Sequence, residues 1–233
     1  MRRPAVLIAL VLTCALSGMA PASAEDPPPS VTMTKDRAYY VSGQTEKITV
    51  VASGIEGGNP EALRITLLLP NGTSKVLEES SIVNEVPSRF SYAPYVNHVL
   101  RADLVDTTTD ELLDSAQLTV VQLANLSTDP KGGFLGYSGA YAVFPKRSRP
   151  VFRSRDLTGK VAPRCLRHQV QRRYASGWKP VFTSACRAEQ RSVVDWKWLG
   201  KHPSGVRFRV RATFAGDKWN RGNRAAWQYF RLR

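Results

Sequence analysis

From Val31 onward, short alternating runs of apolar and polar residues recur between turn residues, every 8–12 positions. In the first half they cover 31–35, 46–52, 62–69, 74–79, 89–92, 98–105 and 116–123. Between them sit Ser42-Gly43, Gly57-Gly58-Asn59-Pro60, Pro70-Asn71-Gly72 and 84–88. Alternation of period two puts one face of each run toward a core and the other toward water. Seven such strands in about 100 residues describe a β-sandwich. Pro70-Asn71-Gly72 marks the sharpest hairpin, while 110–117 also allows a helical turn. The second half repeats the pattern at 141–144, 163–173, 178–184, 192–199, 205–214 and 224–232. No amphipathic stretch long enough for a three-turn helix occurs there. The expected fold is all-β, with two sandwiches in tandem: 25–124 and 125–233. Asp129-Pro130-Lys131-Gly132-Gly133 reads as the boundary region.

The first 24 residues read as a signal peptide. Arg2 and Arg3 form a basic start, 4–16 is apolar, and Ala22-Ser23-Ala24 offers a cleavage site before Glu25. The apolar run is too short for a membrane span. Cys14 lies within that run and follows Thr13, which argues against a lipid anchor. Glu25 to Ser30, with Pro27-Pro28-Pro29, reads as an extended spacer. The C-terminal Phe230-Arg231-Leu232-Arg233 has no apolar anchor. The expected product is therefore secreted, extracellular and not inserted in a membrane.

Cleavage leaves Cys165 and Cys186 as the only cysteines. In an exported chain such a pair reads as a disulfide. Tyr174-Ala175-Ser176-Gly177 lies midway between them, so a hairpin turning there would bring the two face to face. The competing pairing of a nucleophilic Cys165 with His168 fits that symmetry poorly.

Charge is distributed unevenly. Residues 25–126 hold 7 Lys and Arg against 14 Asp and Glu, whereas 127–233 hold 24 against 5. A half at +19 seeks polyanions or an acidic surface. Its most basic strand is Val206-Arg207-Phe208-Arg209-Val210-Arg211-Ala212-Thr213-Phe214. Alternation places Arg207, Arg209 and Arg211 in a row about 7 Å apart, opposite an apolar stripe. An anionic partner or interleaved acids should relieve their repulsion. If this is the penultimate strand of its sandwich, it pairs with the last strand and with the strand of Cys165. Arg167, Arg173, Arg231 and Arg233 then extend the same basic face, and Trp227 and Tyr229 join it if Phe230 and Leu232 point inward. The alternative is a solvated basic face with its aromatics packed under loops. RADLVD at 101–106 and RATFAGD at 211–217 echo each other, which marks both as penultimate strands.

Catalytic patterns are lacking. His98, His168 and His202 have no triad-like neighbours, and Gly136-Tyr137-Ser138-Gly139 lacks the second glycine of a nucleophile elbow. Asp103, Asp106 and Asp110 lack calcium-loop spacing and read as solvated loop acids. His168, alternating with Leu166 and Val170, reads as a buried imidazole. Trp196 and Trp198 share a face with Val194 and read as core. No cofactor, metal or enzymatic activity is expected.

Several features resemble the immunoglobulin-like domains of exported actinomycete proteins. They are Tyr39-Tyr40-Val41-Ser42-Gly43 before the strand 47–51, Cys165 opening a strand, Gly177-Trp178 after a turn, VRFRVRATFAGD at 206–217 and AWQYF at 226–230. The resemblance implies tandem Ig-like sandwiches and leaves activity open. The expected function is a secreted binding or adhesion module. Its basic half would engage a wall polymer, an acidic polysaccharide, extracellular nucleic acid or an acidic protein surface. The rivals are a structural protein that self-associates through acidic-to-basic contacts, and a secreted enzyme.

Overall fold

The computed structural model describes residues 27–55, 61–158, 164–200 and 204–233. The expected signal peptide of residues 1–24, the expected cleavage point and His202 lie outside the described residues. Among the described residues there are twenty strands, and no helix is long and apolar enough to cross a membrane.

In the first sandwich β1 (Ser30–Lys35), β3 (Glu46–Ser53) and β6 (Ser88–Tyr92) form a sheet in the order β1-β3-β6. Facing it are β4 (Glu61–Leu68), β5 (Ser74–Ser81), β7 (His98–Asp106) and β8 (Glu111–Val120), in the order β5-β4-β7-β8. The hairpin after β4 turns at the expected place, with Gly72 at φ 86 and Asn71 Oδ1 accepting from Thr73 N at 3.1 Å. Where a helical turn was also allowed, β8 instead pairs with β7 along its length, from His98↔Val120 to Asp106↔Glu111. Between the sheets Ile48, Val50, Leu63, Ile65, Leu100 and Leu104 are buried on alternate positions. This alternation is the sequence periodicity realised.

The second sandwich repeats the same connectivity. Its small sheet has the order β10-β13-β17, from β10 (Leu126–Pro130), β13 (Val151–Asp156) and β17 (Val193–Lys197). Its large sheet runs β15-β14-β18-β20, from β14 (Cys165–Tyr174), β15 (Gly177–Thr183), β18 (Arg207–Gly216) and β20 (Gln228–Leu232). Counting the seven principal strands of each half, the first, second and fifth form one sheet and the others the facing one. β7 and β18, the strands of the sequence echo, occupy equivalent places. Added strands are β11 (Gly136–Ser138), β12 (Tyr141–Phe144) beside β20, β16 (Arg187–Ala188) and β19 (Arg221–Arg224). Asp129 and Pro130 end β10, inside this sandwich, because Leu126 to Pro130 pairs with β13. The core is aromatic: Phe230 lies 4.9 Å from Phe152 and 5.2 Å from Trp198 between ring centroids. Trp196 and Trp198 are buried in it, as their spacing with Val194 suggested.

Two short strands join the halves. β2 (Tyr40–Val41) pairs in parallel with β9 (Gln122–Leu123), and Leu123 of β9 pairs with Arg221 of β19. Buried and half-buried side chains reinforce the ladder. Asn220 Nδ2 donates to Tyr95 O at 2.9 Å and Asn223 Nδ2 to Ala124 O at 2.7 Å. Arg164, 4 % exposed, donates to Asp156 at 2.8 Å, to Asp217 at 3.0 Å and to Asn220 Oδ1. A guanidinium taken out of water must be paired on every side, and here the pairing also fixes Asn220 against the first sandwich. Burial, then the Asp156 charge, pushes the Glu189 carboxyl up to about 7.

Two predictions follow from these packings. Cys165 and Cys186 are disulfide-bonded, with Cα atoms 5.4 Å apart and the hairpin turning at 174–177. Intact mass after alkylation should show one bridge per chain, and Cys165→Ser/Cys186→Ser should lose about 3 kcal/mol in denaturant unfolding. The second concerns pH. Folded Glu189 holds its proton between about 4.5 and about 7 while the unfolded chain releases it. Its contribution to stability therefore falls as pH rises through that window. The stability of Glu189→Gln relative to the parent chain should climb between those pH values and then level off. A difference that is flat with pH would place the carboxyl in water.

Candidate polyanion interface

All five acids of 127–233 are committed away from the outer face of the large sheet. Asp129 pairs with Arg155 at 3.1 Å, and Asp195 pairs with Arg153 at 2.9 Å and with Lys131. These pairs lie along β10, β13 and β17. Hydrogen bonds from Arg153 above all hold the Asp195 carboxyl down at about 2. Asp156 and Asp217 hold Arg164, and Glu189 is buried next to Asp156. The face of β20, β18 and β14 receives none of them.

The arginine row does lie on that face, opposite buried Phe208, Val210, Ala212 and Phe214. β18 pairs with the last strand, β20, and with β14, the strand of Cys165, as its penultimate place required. The expected relief by acids or an anionic partner is supplied differently. Gln171 Oε1 accepts from Arg209 at 2.9 and 2.6 Å, and Gln169 Oε1 accepts from Arg211 at 3.1 Å. Register explains this, because Gln169 sits opposite Arg211 and Gln171 opposite Arg209. Indole rings complete the cage. Arg209 lies 4.7 Å from Trp178 and 4.3 Å from Trp227, and Arg211 lies 4.1 Å from Trp227. Both guanidiniums are half-buried and act as structural cations. Burial lowers the Arg211 pKa, with smaller contributions from Arg224 and Arg209.

The other arginines divide. Arg207 is exposed, opposite Arg231 in the ladder and 5.5 Å from the Tyr141 ring. Arg173 is exposed and 5.8 Å from Trp178. Arg231 is half-buried and donates to Ser138 Oγ at 2.7 Å, while Arg233 ends the chain exposed. Phe230 and Leu232 do point inward, which leaves Tyr229 outside against Tyr141 at 5.7 Å. Arg167 is exposed and lines an open groove of about 570 Å³ with Arg221, Arg224, Thr213 and Asn223. Sequence reasoning missed Arg221 and Arg224. The available signal was the scarcity of acids downstream of Asp217, but the run 224–232 read as one strand and hid the separate β19.

The remaining candidates have structural roles. His168 is fully buried, with Nε2 2.9 Å from Ser154 Oγ and the ring stacked on Trp196 at 4.9 Å; burial lowers its pKa to about 4. His98 Nε2 and Glu46 Oε2 are 3.2 Å apart, at ion-pair distance without hydrogen-bond alignment, and both side chains are wholly buried. Gln122 Nε2 donates to the same carboxylate. Of the three loop acids, Asp103 is a nearly buried strand residue 2.7 Å from Arg101, which corrects its reading as solvated. Asp106 accepts from Thr108 N at 2.7 Å, and Asp110 is 3.6 Å from Arg64. Among the described residues no group of three or more His, Cys, Asp or Glu could hold a metal ion.

The cage yields a stability prediction. Trp227→Ala removes the ring from both Arg209 and Arg211 and should cost roughly 1–3 kcal/mol. Arg207→Gln, at an exposed site, should change stability by less than about 0.5 kcal/mol. Thermal melting of the two variants checks the contrast, and equal shifts would remove the structural distinction within the row.

No protein-family model matches the chain, and no curated protein matches it. Among solved structures, a two-domain fibronectin type-III segment from chicken tenascin is 11% identical, covers 87% of this chain and 97% of that one, and has a TM-score of 0.43. A DUF4785 family protein from Legionella pneumophila is 12% identical, with 83% of this chain and 55% of that one covered and a TM-score of 0.39. Trypsin-activated alpha-2-macroglobulin from Escherichia coli is 11% identical at a TM-score of 0.35. The match covers 89% of this chain and only 17% of the alpha-2-macroglobulin. Nothing about the role of this chain follows from likeness at that level; its tandem Ig-like β-sandwich fold rests on its own strand pairings.

Proposed function

We propose that the chain is a secreted, non-catalytic binding module whose second sandwich engages an anionic polymer. The observation that carries this reading is the placement of all five carboxylates of 127–233 in the small sheet and the junction. Arg167, Arg173, Arg207, Arg221 and Arg224 consequently have no ion-pair partner among the described residues. A charge excess of +19 is far more than solubility requires. The neutral glutamine and indole partners of Arg209 and Arg211 leave the positive field of the face intact. Wall polymers, acidic polysaccharides, extracellular nucleic acid and acidic protein surfaces all complement such a face. The signal-like start and the disulfide support an extracellular setting.

The mature chain should bind fluorescent heparin and single-stranded DNA in low salt, with log affinity falling linearly in log salt. Absence of binding at low ionic strength, or affinity indifferent to salt, would defeat the reading. Sedimentation of the mature chain at low and high salt tests the rival, in which acidic and basic halves of different copies pair.

A further inference from the structure

The two sandwiches share one connectivity but differ at one position on the large sheet. In the first, Asp103 of β7 lies opposite Arg64 of β4, and Asp103 also pairs with Arg101 at 2.7 Å. In the second, the echo aligns Arg211-Ala212-Thr213 with Arg101-Ala102-Asp103, and Thr213 of β18 lies opposite Arg167 of β14. The carboxylate is missing, yet the arginine across from it is kept. On its other side Thr213 lies opposite Arg224 of β19. Arg167, Thr213 and Arg224 thus form one row across three strands, with the two arginines about 10 Å apart at the backbone.

We propose that this row is the seat of a tetrahedral ester oxyanion, a phosphodiester or sulfate group, on a base-free polymer chain. The proposal rests on the anionic-polymer reading above and names its site and ligand chemistry. The groove floor is kept low by small residues. Gly216 has φ +107, and a Cβ on Gly222 would stand 2.4 Å from Ala215 O. Side chains at these two lining positions are therefore disfavoured, and that stretch of the floor stays bare. Several neutral groups there are already engaged: Thr213 Oγ1 donates to Arg167 O at 3.3 Å, Asn223 Nδ2 to Ala124 O at 2.7 Å, and Gln169 Oε1 accepts from Arg211 at 3.1 Å. The charged groups the groove offers a ligand are the guanidiniums of Arg167 and Arg224, with Arg221 farther along β19.

Two forks on opposite sides of a gap suit an anion whose free oxygens diverge around a tetrahedral centre. A carboxylate directs both oxygens one way and is satisfied by a single fork. Phe214, the sole aromatic among the described residues lining the groove, is 8 % exposed and offers a nucleobase little ring surface to stack on.

The test measures binding of the mature chain to poly(glycerol phosphate), to a heparin oligosaccharide and to polyglutamate of matched charge. Two pairs of variants are compared, each pair matched in net charge. Arg167→Gln/Arg224→Gln should weaken binding of the phosphate and sulfate polymers at least tenfold, and Arg173→Gln/Arg207→Gln less than threefold. Thr213→Asp restores the carboxylate of the first sandwich and should abolish the seat without lowering the melting temperature. Gln171→Glu adds the same charge elsewhere on the face and should weaken binding much less. The phosphate and sulfate arms show which ester is preferred, and binding of either above polyglutamate supports the seat. If the parent chain binds polyanions but the members of each pair behave alike, the affinity is spread over the face. The seat is then wrong and the broader reading survives. Polyglutamate binding as tightly as the esters overturns the oxyanion chemistry. So does single-stranded DNA binding tenfold tighter per phosphate than poly(glycerol phosphate). Failure of the parent chain to bind any polymer removes both proposals together.

Discussion

Five carboxylates against twenty-four Lys and Arg is the constraint around which the second sandwich is arranged. Three acids gather where the halves meet, and two of them, buried Asp156 and the more exposed Asp217, pair with Arg164, which is sealed from water there and would be very costly unpaired. The remaining two acids cross-link the small sheet through Arg153, Arg155 and Lys131. The large sheet is left to manage three consecutive outward arginines without any acid. It does so with amide oxygens and indole faces. Such partners satisfy guanidinium hydrogen bonds and soften desolvation, but they cancel no charge. The face is consequently both ordered and strongly positive.

The same junction sets the position of β19. Its pairing with β9, and through β9 with β2 of the first sandwich, continues one large sheet across the boundary between the halves. Asn220 and Asn223 lock the strand from both ends. Arg221 and Arg224 are therefore presented by an added strand that pairs with β18 of the second sandwich and with β9 of the first half.

The periodic signals of the sequence carried most of the fold. Alternation located 98–105 and 206–214, the Asn-Gly turn located a hairpin, and the cysteine symmetry located another. β10 and β13 were invisible for a physical reason: Leu126 to Pro130 ends in a turn-like Asp-Pro, and Val151 to Asp156 carries two arginines that are neutralised by acids distant in sequence. The arginine row was legible as a face but not as a cage, because Gln169, Gln171, Trp178 and Trp227 lie on neighbouring strands or beyond a turn. Alternation fixes which side a residue faces, and only register fixes what it meets. The Glu46–His98 pair was likewise hidden, since it joins β3 and β7 across the core.

The repeat itself supplies the comparison that a single sandwich would not. Both halves place an arginine on the third principal strand, Arg64 and Arg167, directly across from the sixth. In the first half that arginine lies opposite Asp103 in the ladder and pairs with Glu79 at 3.1 Å and Asp110 at 3.6 Å, so its charge is spent internally. In the second half the facing position is Thr213, and the fourth strand, β15, brings no acid. Opposite charges across a strand pair are worth a fraction of a kcal/mol each, so losing one such pair leaves the fold intact. What it changes is the fate of the cation, from internal ligand to one available to a partner. Two domains of one topology thus differ in how an equivalent arginine is neutralised, because the facing ladder position and the neighbouring fourth strand both lack a carboxylate in the second half.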